Sequence, residues 1–237
     1  EVTELGTYGT LQLNGNGTWS FALNNSLATT QALIAGQVKT YTLDYTITDN
    51  DGDTSPATLT ITITGTNDTP TLTVPAAGGD GTLVNEAGLP ARGGEPAGSD
   101  ASSNSEITTG SFSYTNGDGA STVTINGQAL ASGANYTGAH GTLHIDSIVG
   151  TTVNYTYTLT VNVDNDTQAP TDSFAILVAD SDGNPADDAS ANLVINIIDD
   201  NPQAHNDGPY GVVEDGAGAA NTPSTSNISG NVLGNDT

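Results

Sequence analysis

The sequence predicts an all-β protein made of tandem β-sandwich domains in an end-to-end array. Thr, Val, Ile and Tyr alternate in short runs, and turn residues separate these runs. Alternation with a period of two indicates strands that bury one face. Turn signals at intervals of roughly 8–12 residues are typical of sandwiches. In addition, one unit of acidic turn, strand and acidic linker occurs twice.

The repeated unit begins with an acidic turn and ends with a linker that contains proline. The turn and linker are residues 49–53 and 67–70 in the first copy, and residues 180–184 and 199–202 in the second. The two parts begin 18 residues apart in the first copy and 19 in the second. Oxygen ligands of this kind suit Ca²⁺, which takes about six to eight oxygens. The alternative is that Asx and Gly residues simply make good turns.

The first predicted domain covers residues 1–68. Its Asn-Gly-Asn-Gly stretch indicates a hairpin, and Trp19 is expected to be its main core aromatic residue. A sandwich of seven strands needs about 100 residues, so we expect this domain to be incomplete unless a neighbouring chain adds a strand. The predicted strands are residues 7–13, 18–23, 41–48 and 58–64, with one or two helical turns within 25–33.

The second predicted domain covers residues 69–201, and residues 202–237 are predicted to begin a third. The acidic linkers separate the domains. The predicted strands of the second domain are residues 71–74, 81–85, 111–114, 121–125, 141–145, 152–163, 173–179 and 192–198.

Charge and composition exclude several classes of function. The chain of 237 residues has 27 acidic and two basic residues, and its formal charge is −25. Phosphate recognition needs clustered Lys or Arg, so nucleic acid is not an expected partner. No apolar run approaches the roughly 18 residues of a membrane span, so we expect no membrane insertion. Cations would offset the self-repulsion of such a chain.

Residues 6–21, the following Gln31-Ala32-Leu33 and the ending Gly65-Thr66-Asn67-Asp68 resemble a VCBS repeat. Residues 82–99 resemble the repeat domain of giant type I secretion targets, the RTX adhesins. Residues 212–216 and 230–236 resemble the start of another such repeat. The nonapeptide Gly-Gly-x-Gly-x-Asp repeats of an RTX tail are absent from this sequence.

The resemblance implies Ig-like or cadherin-like extender domains, secretion without a cleaved N-terminal signal and a place on the bacterial cell surface. The expected function is therefore a calcium-rigidified, non-enzymatic extender that supports adhesion or biofilm formation. Neighbouring repeat domains of the same or an adjacent chain are the expected partners. The alternatives are a module that binds carbohydrate or a cell surface, and an accessory region of a secreted hydrolase.

Strand direction assigns the candidate calcium ligands to junctions. A strand of nine residues spans roughly 30 Å, so the turn and the linker of one copy lie at opposite ends of their domain. The second junction has more carboxylates, so we expect it to bind calcium more tightly. The first junction is assigned Asn67, Asp68, Asp180 and Asp182, and the second Asp164, Asp166, Asp199, Asp200 and Asn201. By analogy with cadherins Glu86 joins the second, whereas Asp49, Asp51 and Asp53 face a preceding domain and Glu214 serves a later junction.

Other residue patterns carry weaker signals. His140 and His144 could share a strand face, but a zinc site would need a third ligand, so we interpret them as partly exposed strand residues. There is no Gly-x-Ser-x-Gly elbow and no Gly-rich phosphate loop. Trp19 and Tyr8 could stack on a sugar, although a core role for Trp19 is the preferred interpretation.

Overall fold

The structure is a computed structural model that describes residues 1–163 and 170–200. Its strands form two two-stranded and two five-stranded sheets, so the predicted all-β class is confirmed. Residues 1–64, here called unit one, precede an extended linker. Residues 71–200 are called unit two. None of the helices in the described ranges has the length and apolar character needed to cross a membrane.

Unit one consists of two antiparallel hairpins that face each other. β1 (Gly9–Leu13) pairs with β2 (Trp19–Leu23), and β3 (Val38–Thr48) pairs with β4 (Thr54–Thr64). Along β4 the Ile residues point inward while the Thr residues are exposed, as the alternation predicts. Two single-turn helices, α1 (Val2–Leu5) and α2 (Ala28–Gln31), lie beside the hairpins. The buried core is Leu5, Leu33, Tyr41, Leu43, Ile61 and Ile63.

Trp19 is not the main core aromatic residue of unit one, so this prediction was wrong. Its side chain lies opposite Leu13 on the inward face of the β1–β2 hairpin and is 50% exposed. Tyr41 fills the core instead, with its ring centroid 6.1 Å from that of Tyr8. The core is closed only at one end of the hairpins, and Trp19 lies at the other end.

Unit two is a sandwich of two five-stranded sheets. The strands are β5 (Thr71–Thr73), β6 (Leu83–Asn85), β7 (Ile107–Thr115), β8 (Thr122–Ile125), β9 (Gln128–Ala129), β10 (Asn135–Thr137), β11 (Gly141–Val149), β12 (Thr152–Leu159), β13 (Thr171–Ala179) and β14 (Ala189–Ile198). In the first sheet the strand order is β10-β11-β12-β7-β5, and in the second it is β6-β14-β13-β8-β9. All eight strands predicted for this domain are present, and two short strands, β9 and β10, were missed.

The topology of unit two places its acidic segments at opposite ends. β13 and β14 are antiparallel, and Val178 pairs with Ala189 while Thr171 pairs with Asn196. The turn after β13 therefore lies at one end of the sandwich, and the segment after β14 lies at the other. β14 has 10 residues, which corresponds to roughly 33 Å between these ends.

Two tyrosines in β12 are buried in the core of unit two. The Tyr155 hydroxyl donates a hydrogen bond to the Gly81 carbonyl oxygen over 3.0 Å. The Tyr157 hydroxyl donates one to the Asp172 carboxylate over 2.7 Å. Burial raises the pKa of Tyr155 to about 12. Burial also raises the pKa of Tyr157, and the neighbouring Asp172 carboxylate raises it further.

These shifts predict that unit two loses stability as the pH rises above about 10, where the phenols of the unfolded chain ionise. The buried phenols keep their protons in that range, so the folded state binds more protons and the free energy of unfolding falls with rising pH. Tyr155→Phe should flatten this fall in denaturant unfolding followed by circular dichroism. Tyr45→Phe, at a half-exposed ring, is the control and should behave like the parent. The same steep fall in Tyr155→Phe would contradict the prediction.

Candidate metal centres

A short loop of unit two, between β7 and β8, contacts unit one. Asp118 in this loop is fully buried, and its Oδ1 accepts a hydrogen bond from the Asp68 backbone N–H over 3.1 Å. The next residue, Gly119, donates its N–H to the carbonyl oxygen of Gln31 in unit one over 2.9 Å. The Asp118 carbonyl oxygen accepts a hydrogen bond from the Ser181 hydroxyl. One loop therefore contacts unit one, the linker and the turn after β13.

The turn after β13 brings further carboxylates to this loop. Asp180 is 8% exposed, and its Oδ1 accepts a hydrogen bond from the Asp182 N–H over 3.0 Å. Carboxylate oxygens of Asp118, Asp180 and Asp182 all lie within 4.8 Å of one another. A second group, Asp180, Asp187 and Asp188, meets the same distance limit. The two groups share Asp180. Together they make up the junction cluster, which consists of Asp118, Asp180, Asp182, Asp187 and Asp188.

Buried carboxylate oxygens of the junction cluster have no hydrogen-bond partner among the described residues. They are Oδ2 of Asp118, Oδ2 of Asp180 and Oδ1 of Asp187. Burying an ionised carboxylate without a partner is costly, and buried charges are normally paired or coordinate a metal. The donors offered are all carboxylate oxygens, which are the ligands that Ca²⁺ prefers. The residues of this cluster therefore fit a divalent cation.

The electrostatics of the cluster give the same result. Burial raises the pKa of Asp118, and the nearby carboxylates of Asp68, Asp182 and Asp187 raise it further. Both effects oppose the ionised form, because they place like charges together in a poorly solvated site. A bound cation reverses both effects by supplying opposite charge. The two basic residues of the chain are Lys39 and Arg92, and neither hydrogen-bonds to this cluster in the described part of the chain.

Gly117 allows the close packing at this junction. A Cβ atom at this position would lie 2.5 Å from the Asp68 carbonyl oxygen and 2.6 Å from Asp180 Oδ2. Real Cβ atoms do not approach other heavy atoms so closely, so a larger residue would push the linker and the carboxylate apart. Because Gly117 has no side chain, the Asp68 carbonyl oxygen and Asp180 Oδ2 can both pack close to it.

A second group of carboxylates lies at the opposite end of unit two. Glu86 is 5% exposed. Its Oε2 accepts a hydrogen bond from the Asp200 N–H over 3.4 Å, and its Oε1 accepts one from Val163. Burial raises the pKa of Glu86, and Asp199 contributes to the rise. Glu106, which has a buried Oε2 without a partner in the described ranges, contacts Gly88 in the same turn as Glu86. We call Glu86, Glu106, Asp199 and Asp200 the distal cluster.

The third acidic group is the turn between β3 and β4. Asp49, Asp51 and Asp53 are exposed, with carboxylate oxygens within 4.8 Å of one another. Asp49 Oδ1 accepts backbone N–H groups from residues 51, 52 and 53 at 3.3, 3.0 and 2.9 Å. Hydrogen bonds from Asp51 and from this backbone lower the pKa of Asp49. The turn satisfies its own carboxylate, so the geometry is explained by an ordinary Asx turn.

The structure brings together several of the acidic residues that the sequence assigned to each junction. Asp68, Asp180 and Asp182 come together at the first junction, and exposed Asn67 precedes Asp68 in the linker. Glu86, Asp199 and Asp200 come together at the other end. Asp164, Asp166, Asn201 and Glu214 lie outside the described residues, so their assignment stays a prediction.

Sequence reasoning missed the carboxylates that add most to the first junction. Asp118 belongs to an Asn-Gly-Asp-Gly turn, the same signal that drew attention to residues 49–53, but this turn does not precede a linker. Asp187 and Asp188 follow the second acidic turn. The first junction is therefore not poor in carboxylates, and the reason for ranking the second junction as the tighter site was wrong.

Comparison with known proteins supports an Ig-like region. Residues 1–62 match the family described as bacterial Ig domain. This match fits an Ig-like extender region of a surface protein, and it covers unit one. None of the curated proteins matches this chain.

Proposed function

We propose that this chain is a non-enzymatic extender of a secreted bacterial surface protein, and that calcium at the junction cluster stiffens it. The observation that carries the proposal is that buried carboxylate oxygens of Asp118, Asp180 and Asp187, at the contact between the units, have no hydrogen-bond partner among the residues that the structure describes. The bacterial Ig match at residues 1–62 supports the extender part. The VCBS and RTX resemblance adds type I secretion and a role in adhesion or biofilm formation to the proposal.

Calcium would act here by connecting groups that belong to different segments. The carboxylates of Asp118 and Asp180 belong to unit two, whereas the Asp68 backbone belongs to the linker that leaves unit one. The Asp118 loop also contacts Gln31 of unit one. Neutralising the carboxylates would allow all these segments to stay packed together. Without the ion, their repulsion would favour separation of the units.

A spin-label distance measurement tests the stiffening. The chain has no Cys, so Ser20→Cys in β2 and Ser173→Cys in β13, both exposed, can be labelled selectively. We expect a narrow distance distribution between the labels in millimolar calcium, the range in which extracellular modules bind. A broad distribution is expected in EDTA. Asp118→Asn should stay broad in both conditions, and the control Asp146→Asn, at an exposed carboxylate outside the clusters, should behave like the parent.

Equal widths in calcium and EDTA for the parent would contradict the proposal and would assign the stiffness to the linker itself, including buried Pro70. Gly117→Ala provides an independent check, because it changes the packing at the junction without removing any carboxylate. It is expected to broaden the distribution in calcium, since the added Cβ separates the Asp68 carbonyl from Asp180.

Calorimetry can separate the junction cluster from the distal cluster. We expect two classes of calcium-binding event in the parent. Asp118→Asn with Asp180→Asn should remove one class, and Glu86→Gln with Asp199→Asn should remove the other, because roughly 33 Å separates the ends of unit two. The charges removed are equal in the two double variants. Loss of the same event from both would show that the clusters do not bind separately.

A further inference from the structure

The first and last strands of the second sheet in unit two lie side by side. β6 pairs in parallel with Asn196–Ile198, the last three residues of β14. The chain enters unit two from the linker through β5 and β6, and it leaves unit two through β14. This parallel pair therefore joins the two strands through which a pull on the chain reaches unit two.

Both strands of the pair run from the junction end of unit two toward the opposite end. β14 begins after the Asp180 turn and ends two residues before Asp200. A pull between the linker and the segment after Asp200 draws β6 toward the junction end and β14 away from it. The two strands would then have to slide past each other, so all the hydrogen bonds between them bear the load together.

Alternate residues of β6 face β14 with their backbone. Asn196 donates its N–H to the Thr82 carbonyl oxygen over 2.8 Å, so in a parallel ladder the backbone of Val84 faces β14 as well. The backbone of Asn85 faces away, since its N–H donates to the Ser105 carbonyl oxygen over 2.8 Å. The Val84 side chain is 2% exposed and lies in the core, so β6 cannot leave β14 without opening that core.

Side-chain hydrogen bonds extend this contact beyond the two strands. The Asp200 carboxylate accepts hydrogen bonds from the N–H and the hydroxyl of Ser99 over 2.6 and 2.5 Å, and an ionised acceptor strengthens such bonds. Ser99 belongs to the loop that follows β6, and within this loop the Gly98 N–H donates to the Leu89 carbonyl oxygen over 2.8 Å. Tension at Asp200 is therefore passed to the loop after β6 as well as to β6 itself.

β5 takes the load from the linker before β6 does. Three residues pair β5 with β7, and its central residue, Leu72, is only partly buried. Detachment of β5 would free the chain as far as β6 and would leave the core between the two sheets closed. The β6–β14 pair is therefore the first contact along the pulled chain whose loss opens the core of unit two.

We infer that the β6–β14 pair and the Ser99–Asp200 contact, together called the strand lock, keep unit two folded when the chain is pulled lengthwise. The inference rests on the proposed function, because an extender between an anchor and a distant ligand bears tension along its length. The strand lock is directional. A pull on Ser190, which is exposed near the start of β14 and pairs with Leu177, would instead peel β14 from β13 one residue pair at a time.

Single-molecule force spectroscopy of the full chain in excess calcium tests the strand lock. The chain has no Cys, so Thr69→Cys with Thr237→Cys gives a lengthwise pull, and Thr69→Cys with Ser190→Cys gives the peeling pull. In the lengthwise pull, unfolding of the 130 residues 71–200 should extend the chain by roughly 400 Å, which identifies the event. We expect this event to need a higher force in the lengthwise pull than in the peeling pull.

Matched variants separate the strand lock from general stability. Ser99→Ala, at an exposed residue, removes the hydroxyl donor to Asp200, so it should lower the lengthwise force and leave the peeling force unchanged. Its control is Ser173→Ala, at an exposed residue of β13, which should change neither force. Val84→Pro removes the N–H that faces β14 and should abolish the high lengthwise force. Its control, Leu83→Pro, removes an N–H that faces away from β14 at the edge of the sheet, where proline is tolerated.

Equal forces in the two pulling directions would overturn the inference. A lengthwise force that both Ser99→Ala and Val84→Pro leave at the parent value would overturn it as well, with circular dichroism verifying that the variants are folded. Neither result would change the calcium-dependent distance distribution that tests the proposed function. Conversely, equal widths of that distribution in calcium and EDTA would contradict the proposed function and leave the strand lock standing, since its hydrogen bonds do not involve the junction cluster.

Discussion

Calcium is expected to raise the melting temperature of this protein by on the order of 5–10 °C when a site is saturated. A ligand that binds only the native state, at 100 times its dissociation constant, adds about 2.7 kcal/mol. The effect should be large because the metal-free junction cluster buries like charges. Scanning calorimetry in EDTA and in excess calcium measures the difference.

Substitution of the buried Asp118 should make the variant more stable than the parent without calcium and less stable than the parent with calcium. Asp118→Asn keeps an oxygen that can accept the Asp68 N–H, but it removes a charge whose pKa is raised by burial and by neighbouring carboxylates. This variant should therefore melt above the parent in EDTA and below it in calcium. Asp146→Asn, at an exposed carboxylate, should respond to calcium as the parent does. A parent that melts at the same temperature with and without calcium would contradict the prediction.

Asp172→Ala is expected to destabilise unit two by about 3–5 kcal/mol, since it leaves several buried donors without an acceptor. Asp172 is 1% exposed. Its carboxylate accepts backbone N–H groups from Ala139, His140 and Gly141 at 2.8–3.1 Å, as well as the Tyr157 hydroxyl. It thus holds the turn before β11 against β13.

This prediction separates hydrogen bonding from net charge. Loss of one negative charge from a chain of −25 reduces self-repulsion, so charge alone would make Asp172→Ala stabilising. Asp172→Asn, which keeps one acceptor oxygen, should lie between the parent and the Ala variant in urea unfolding. Asp146→Ala is the control, with an expected change within about 0.5 kcal/mol. Equal stability of Asp172→Ala and the parent would show that solvent replaces the carboxylate.

The Asp172 network illustrates why the sequence alone did not indicate every important carboxylate. Asp172 takes an inward position of β13, on the face where the following inward residues Phe174, Ile176 and Val178 are apolar, so the alternation itself does not indicate that this carboxylate is buried. Its backbone donors come from a turn more than 30 residues earlier in the chain, and its hydroxyl donor, Tyr157, comes from β12. Only the packing of strands that are distant in the sequence brings these groups together, and local sequence patterns do not indicate which distant strands will pack against each other.

The local sequence was enough to predict every strand except the two short strands β9 and β10, and to place the acidic segments of unit two at its opposite ends. The alternation in residues 58–64 and 173–179 identifies strands with one buried face, and strand length then separates the Asp180 turn from Asp199 and Asp200. Tertiary packing decided the rest. Asp118 joins Asp180 because β8 pairs with β13, and Trp19 is half exposed because a groove separates it from Tyr45 and Ile47 of the opposite hairpin. Hydrogen bonding between neighbouring residues follows from the local sequence, whereas the burial of a charge or a ring depends on what the remainder of the chain places over it.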